Sequence, residues 1–139
     1  MDDHKQIGEA ADRTGLSLRT IRYYEEVGLI TPSARSHGGF RLYTESDIAR
    51  LMVVKHMKPL GFSLEEMRDL LAVLDELERD DLDAAARVRA HERLGVFEAA
   101  ADERCASLRS QLETAEEFAR SLRRESQPAR RHEGAGAGQ

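Results

Sequence analysis

One cysteine, three prolines and no tryptophan stand among 139 residues, and aromatic side chains make up only 5% of the chain. A single thiol, Cys105, excludes an internal disulfide framework and suits a reducing compartment. So little proline and aromatic content, beside 34% charged residues, argues against an all-β sandwich and for helices. Long apolar runs are also missing. The opening MDDHKQIGEA is acidic and has neither the core of a signal peptide nor that of a membrane span, so a cytoplasmic protein with no membrane partner is expected. There is no glycine-rich phosphate loop, no Ser/His/Asp or Cys/His arrangement in a recognisable context, and no metal-ligand spacing. No catalytic residue, cofactor or metal ligand is therefore assigned, and an enzyme is not expected.

What is present is 40% apolar content in a length that allows one core, or a small domain with an extended arm. The net charge of −5 is unevenly spread: residues 1–60 carry nine Lys/Arg and eight Asp/Glu, whereas residues 61–125 carry ten and seventeen. The acidity lies outside the first 60 residues.

Ile7, Ala10 and Ala11 fall at helical spacing up to Thr14, and Gly15 follows as a stop. Ser17 can cap a second helix whose inner face is Leu18, Ile21 and Tyr24, with Arg19, Arg22, Tyr23 and Glu26 pointing elsewhere. Two helices joined by so short a Gly-containing turn form a helix-turn-helix. Gly28 and Pro32 then force an extended stretch, and residues 34–43 read as a hairpin turning at Gly38-Gly39, with Phe40 and Leu42 on one face and Arg41 and Tyr43 on the other. Thr44 with Asp47 resembles a capping box for a third helix reaching about Leu60, with Pro59 in its last turn. Ser63 with Glu66 opens a fourth, along which Leu64, Met67, Leu70, Leu71 and Leu74 form one stripe.

The acidic Asp80, Asp81 and Asp83 should break that helix and cap a fifth. Along the fifth, Leu94, Phe97, Ala101, Cys105, Leu108, Leu112, Ala115, Ala119 and Leu122 form an apolar seam, regular in heptads from Ala101. A chain this small cannot bury that seam alone, so a partner helix is required. The expected fold is mainly α: a winged helix-turn-helix head with a small β-hairpin wing over 1–79, a long coiled-coil dimerisation helix over 80–125, and a disordered tail over 126–139 ending in GAGAGQ.

Three ordered segments, IGEAADRTGLSLRTIRYYEEVGLITP, GGFRLYTESDIARL and LGFSLEEMRDLL, cover roughly half the chain and resemble the MerR family of transcription regulators. The resemblance implies a homodimer through an antiparallel pair of the long helices. It also implies binding to a palindrome in double-stranded promoter DNA and distortion of that DNA, which aligns promoter elements for RNA polymerase. In such a protein the second helix enters the major groove, making Arg19 and Thr20 base-reading candidates and Ser17, Arg22 and Tyr23 phosphate contacts. The wing from Arg35 to Tyr43 is assigned to the backbone or minor groove, where Arg41 supplies charge and Gly39 permits close approach. Phe40 and Tyr43 are expected to pack first and to touch DNA second. Lys58 is a further phosphate candidate.

Metal sensors of this family carry cysteines at the start of the dimer helix and in a loop after it. This chain departs from that pattern, so no metal and no effector is assigned. Two readings of Cys105 stand: a small apolar seam residue, or, because it lies near the midpoint of 84–124, a thiol that meets its own copy in an antiparallel pair. An architectural DNA binder resembling a phage excisionase is the alternative function; such proteins have a similar head without a dimer arm of this length.

Overall fold

The computed structural model describes residues 4–32 and 34–128. The elements run β1 (Lys5–Gln6), α1 (Ile7–Thr14), α2 (Leu18–Glu26), β2 (Ala34–Arg35), β3 (Arg41–Tyr43), α3 (Glu45–Met57), a 3-10 turn (Lys58–Leu60), α4 (Leu64–Glu78) and α5 (Ala84–Glu125). By packing, the chain divides into one unit over Met1–Glu98 and another over Ala99–Gln139. The boundary expected at 79/80 falls in the turn between α4 and α5, whereas the packing division lies at 98/99, so the first fifteen residues of α5 pack with the first unit.

In the first unit, α1 ends at Gly15, which takes φ +76° and returns its N–H to the Ala11 carbonyl. The ammonium of Lys55 donates to the Thr14 carbonyl and places a positive charge on the negative end of α1. Ser17 caps α2 as expected, its hydroxyl accepting from Thr20 N at 3.0 Å. Ile21 and Tyr24 enter the core, whereas Leu18 is 40% exposed. Leu18 was expected on the inner face; at the first position of α2 it stops short of the core that the next turn enters. Beyond Gly28 the amides of Leu29 and Ile30 both donate to the Tyr24 carbonyl, which folds the chain back and buries both side chains.

The hairpin forms, and it recruits a strand that periodicity did not single out. β3 is the centre of a three-stranded antiparallel sheet in the order β1-β3-β2, with Lys5 opposite Tyr43 and Arg35 opposite Arg41. Of the two turn glycines only Gly39 takes a positive φ, +81°. Tyr43 is fully buried, but Phe40 is 63% exposed, so the packing role expected for Phe40 is not observed. Its ring lies instead over Gly38, where a Cβ would come within 3.1 Å of it.

Both capping boxes form. Thr44 accepts from Asp47 N while Asp47 accepts from Thr44 N, and Ser63 and Glu66 exchange the same pair of bonds at the start of α4. Pro59 falls in the 3-10 turn that closes α3. Met67 and Leu71 of the α4 stripe are buried, together with Val73 on the flank of α4 that shares a hollow with Val96 and Phe97 of α5. Asp83 caps α5 by accepting from Ala86 N at 2.7 Å, and Arg87 donates to the carbonyls of Leu77 and Arg79 at the end of α4. Ala90 is fully buried, and the Phe97 ring meets Phe62 at 6.4 Å between centroids.

In the second unit α5 continues to Glu125. Leu108, Leu112 and Leu122 of the seam are exposed, Cys105 is a half-buried free thiol, and Phe118, beside the seam, is exposed as well. Most of the tail expected to be disordered, residues 129–139, lies outside the described residues.

Candidate nucleic-acid interface

Helix α2 and the wing share one side of the first unit because the turn after Gly28 brings the chain back beside α2 before β2 begins. The Ser17 cap frees the outer face of α2 while fixing its first turn. Ser17 and Thr20 also pair through their hydroxyls at 2.8 Å, so both belong to a local cap as well as to that face. Arg19, Arg22 and Tyr23 are exposed and, with Glu26, line a surface hollow of about 550 Å³. The Tyr23 ring leans on Tyr24 at 5.8 Å and a tilt of 52°. Tyr24 itself is buried, and that burial raises its hydroxyl above the ordinary pKa, which supports the core role expected for it.

Arg22 occupies the junction between helix and wing. Besides the α2 hollow it lines one with Arg35 and Arg41, and another with Gly39, Phe40 and Arg41. Arg35 donates to the Gly39 carbonyl at 3.2 Å and so steadies the wing turn. The structure thus brings together Arg19, Arg22, Tyr23, Arg35, Gly39, Phe40 and Arg41 along adjoining hollows. Tyr43 is withdrawn beneath them. Lys58 is exposed in the 3-10 turn and lines none of these hollows.

One residue of this region was not singled out from the sequence. Glu25 reaches from α2 to Arg41, with 2.7 Å between Oε2 and Nε. The signal was available: Glu25 lies four residues after buried Ile21, on the same helical face. Tyr43 lies in the same cluster, and burial, followed by the Glu25 carboxylate, raises its hydroxyl well above the usual phenol range, so it stays protonated.

Further back, Glu45 gathers Arg13, whose guanidinium approaches at 2.5 and 2.7 Å, and Lys5 at 3.0 Å. The hydrogen bond from Arg13, then that from Lys5, lower the Glu45 carboxyl from 4.5 to about 2. These bridges tie β1, α1 and the start of α3 together behind the exposed face. Among the described residues no three His, Cys, Asp or Glu side chains are grouped so as to hold a metal ion, and no helix is long and apolar enough to cross a membrane.

Two family models match the chain: the MerR HTH family regulatory protein over residues 6–74 and the MerR DNA-binding region over 48–124. The HTH-type transcriptional regulator HmrR of Rhizobium leguminosarum bv. viciae is 46% identical over 77 residues, which are 55% of this chain and 59% of that protein. The HTH-type transcriptional regulator ZntR of Escherichia coli K12 is 48% identical over 68 residues, 49% of this chain and 48% of that one. The chain therefore spans between about half and three fifths of the length of these relatives. Among solved structures, the transcription regulator PbrR691 from Ralstonia metallidurans CH34, in complex with lead(II), superposes with a TM-score of 0.53 at 29% identity, covering 85% of this chain and 82% of that one.

Proposed function

The chain belongs to the MerR family, and from that premise we propose that it is a sequence-specific DNA-binding transcriptional regulator acting as a homodimer on a promoter palindrome. The observation that carries the reading is the continuity of Arg19, Arg22 and Tyr23 on capped α2 with Arg35, Gly39, Phe40 and Arg41 on the wing. A recognition helix with a neighbouring cationic hairpin can span a major groove and the backbone or minor groove beside it. In this reading Arg19 and Thr20 face base edges. Ser17, Arg22, Tyr23, Arg35 and Arg41 face phosphates, Gly39 allows close approach of the wing, Lys58 adds a phosphate contact at the periphery, and Tyr43 supports β3 from below.

The exposed Leu108, Leu112 and Leu122 support a dimer through α5, because a helix leaving such a seam in water gains by pairing. Leu94, Phe97, Ala101, Cys105, Ala115 and Ala119 complete the expected seam, with Phe97 also packing on Phe62 of its own chain. An antiparallel pair sets two heads on a two-fold axis and matches a palindrome. Distorting the promoter between them, at about 1–6 kcal/mol offset by contacts to both heads, realigns its elements for RNA polymerase in the cytoplasm. The 42-residue α5 favours this regulator over an excisionase-like architectural protein.

Genome-wide mapping of bound sites, followed by footprinting with the purified chain and sedimentation, tests the reading. A single protected pseudo-palindrome between promoter elements and a dimer are expected. A monomer, or protection without sequence preference, would refute it.

A further inference from the structure

Beneath the exposed face, Glu25 Oε2 and Arg41 Nε are buried without an aligned hydrogen bond, and the Tyr43 hydroxyl lies against the same Glu25 carboxylate. The first two lie 2.7 Å apart, so their contact is an ion pair off the N–H axis. Polar atoms so buried are ordinarily satisfied, and an ion pair in such a place is often replaceable by apolar packing without loss of stability. Stability alone is therefore a poor account of this pair. Its placement offers a better one. Glu25, with a side chain 9% exposed, comes from the inner edge of α2, while Arg41, 37% exposed, comes from the central strand to which both β1 and β2 pair. Fixing Arg41 fixes β3, and with it the wing.

We propose that Glu25 is a positioning residue: through Arg41 it locks the wing to α2 and restrains a wing cation that would otherwise seek any phosphate. This rests on the reading that α2 and the wing bind DNA. The pair then gives up part of one non-specific attraction to hold helix and wing in a fixed register, which discriminates between sequences. Arg41 still lines the hollows shared with Arg22, so its charge remains on the face offered to DNA.

The test uses the whole 139-residue chain, titrated by anisotropy against the footprinted duplex and a scrambled one across a salt series. Glu25→Gln should tighten binding to the scrambled duplex and steepen its salt slope by up to about 0.9, the value of one added phosphate contact. The ratio of specific to scrambled affinity should fall at least about fivefold, the low end for losing one base-pair discrimination. Glu65→Gln, exposed in the first turn of α4 and lining none of the three hollows, measures the general effect of removing a carboxylate. In an Arg41→Gln background, Glu25→Gln should change the slope no more than Glu65→Gln does.

Arg41→Lys supplies a second route that keeps the positive charge but lacks the Nε facing Glu25. It should lose discrimination between the two duplexes. Parity of Glu25→Gln with Glu65→Gln, or unchanged discrimination in Arg41→Lys, overturns the positioning role. So does an equal loss on both duplexes accompanied by a lower melting temperature. If the wild type fails to distinguish the two duplexes, it is the DNA-reading function that falls, before any variant is compared.

Discussion

Arg19 and Arg22 are three residues apart on one short helix, yet they should fail differently when removed. Both are exposed, and neither has a hydrogen bond or ion pair to another described residue, so truncation to Ala leaves the fold intact and reports on binding. Arg22 sits where α2 meets the wing and lines all three adjoining hollows, a place suited to the backbone that runs between two grooves. Arg19 lines only the hollow on α2. If Arg22 contacts one phosphate, its loss reduces the salt slope by about 0.9, so the defect should shrink about 3.5-fold between 50 and 200 mM salt and be the same on matched and mutated sites. If Arg19 reads a base, Arg19→Ala costs about 1–3 kcal/mol on the matched site and far less once that base pair is changed. Gel-shift titrations over two salts and a panel of single-base-pair operator variants read both quantities. Equal losses on every sequence from both variants, with equal changes in slope, would refute the division of labour.

Thr44→Ala removes the acceptor for Asp47 N in the α3 capping box and should lower the stability of the head by about 1 kcal/mol, read as a lower urea midpoint. Glu45, whose carboxyl is depressed from 4.5 to about 2, stabilises the fold above pH 4.5, and that contribution disappears as pH falls from 4.5 towards 2. Glu45→Gln should therefore flatten the acid side of the melting-temperature profile within that window; an unchanged profile would count against the Arg13 and Lys5 bridges. Leu112→Glu puts a charge in the middle of the exposed seam and should shift sedimentation from dimer to monomer while leaving the helical circular dichroism of the head in place.

What could be read from the sequence, and what could not, separates by the range of the interactions concerned. The two capping boxes, the Ser17 cap and the Gly15 stop are each made within four residues, so local chemistry is enough to find them. β1 is two residues long and pairs with residues 36 and 38 positions away. No periodicity announces a strand so short, and only the position of β3 in space creates it. Leu29 and Ile30 are buried by a chain reversal that returns two amides to one carbonyl, an event invisible to a helical pattern that has already ended at Glu26.

The candidate site divides in the same way. The exposed face of α2 follows from spacing, because whatever Ile21 and Tyr24 do not bury must point outward. The wing could be read as a hairpin, but which of its side chains stay in water could not: Phe40 is exposed at the tip while Tyr43, three residues on, is fully buried. That difference depends on what lies beneath β3, and Glu25 of α2 is there. A glutamate beside two tyrosines in a charged helix looks like ordinary solvated charge until an arginine from a strand sixteen positions later is placed against it. Charge on a small DNA-reading head thus has two uses that sequence spacing does not separate. Cations such as Arg19 and Arg22 stand open to a ligand, whereas Arg41 is partly occupied by the protein itself and gives up some attraction to hold its position.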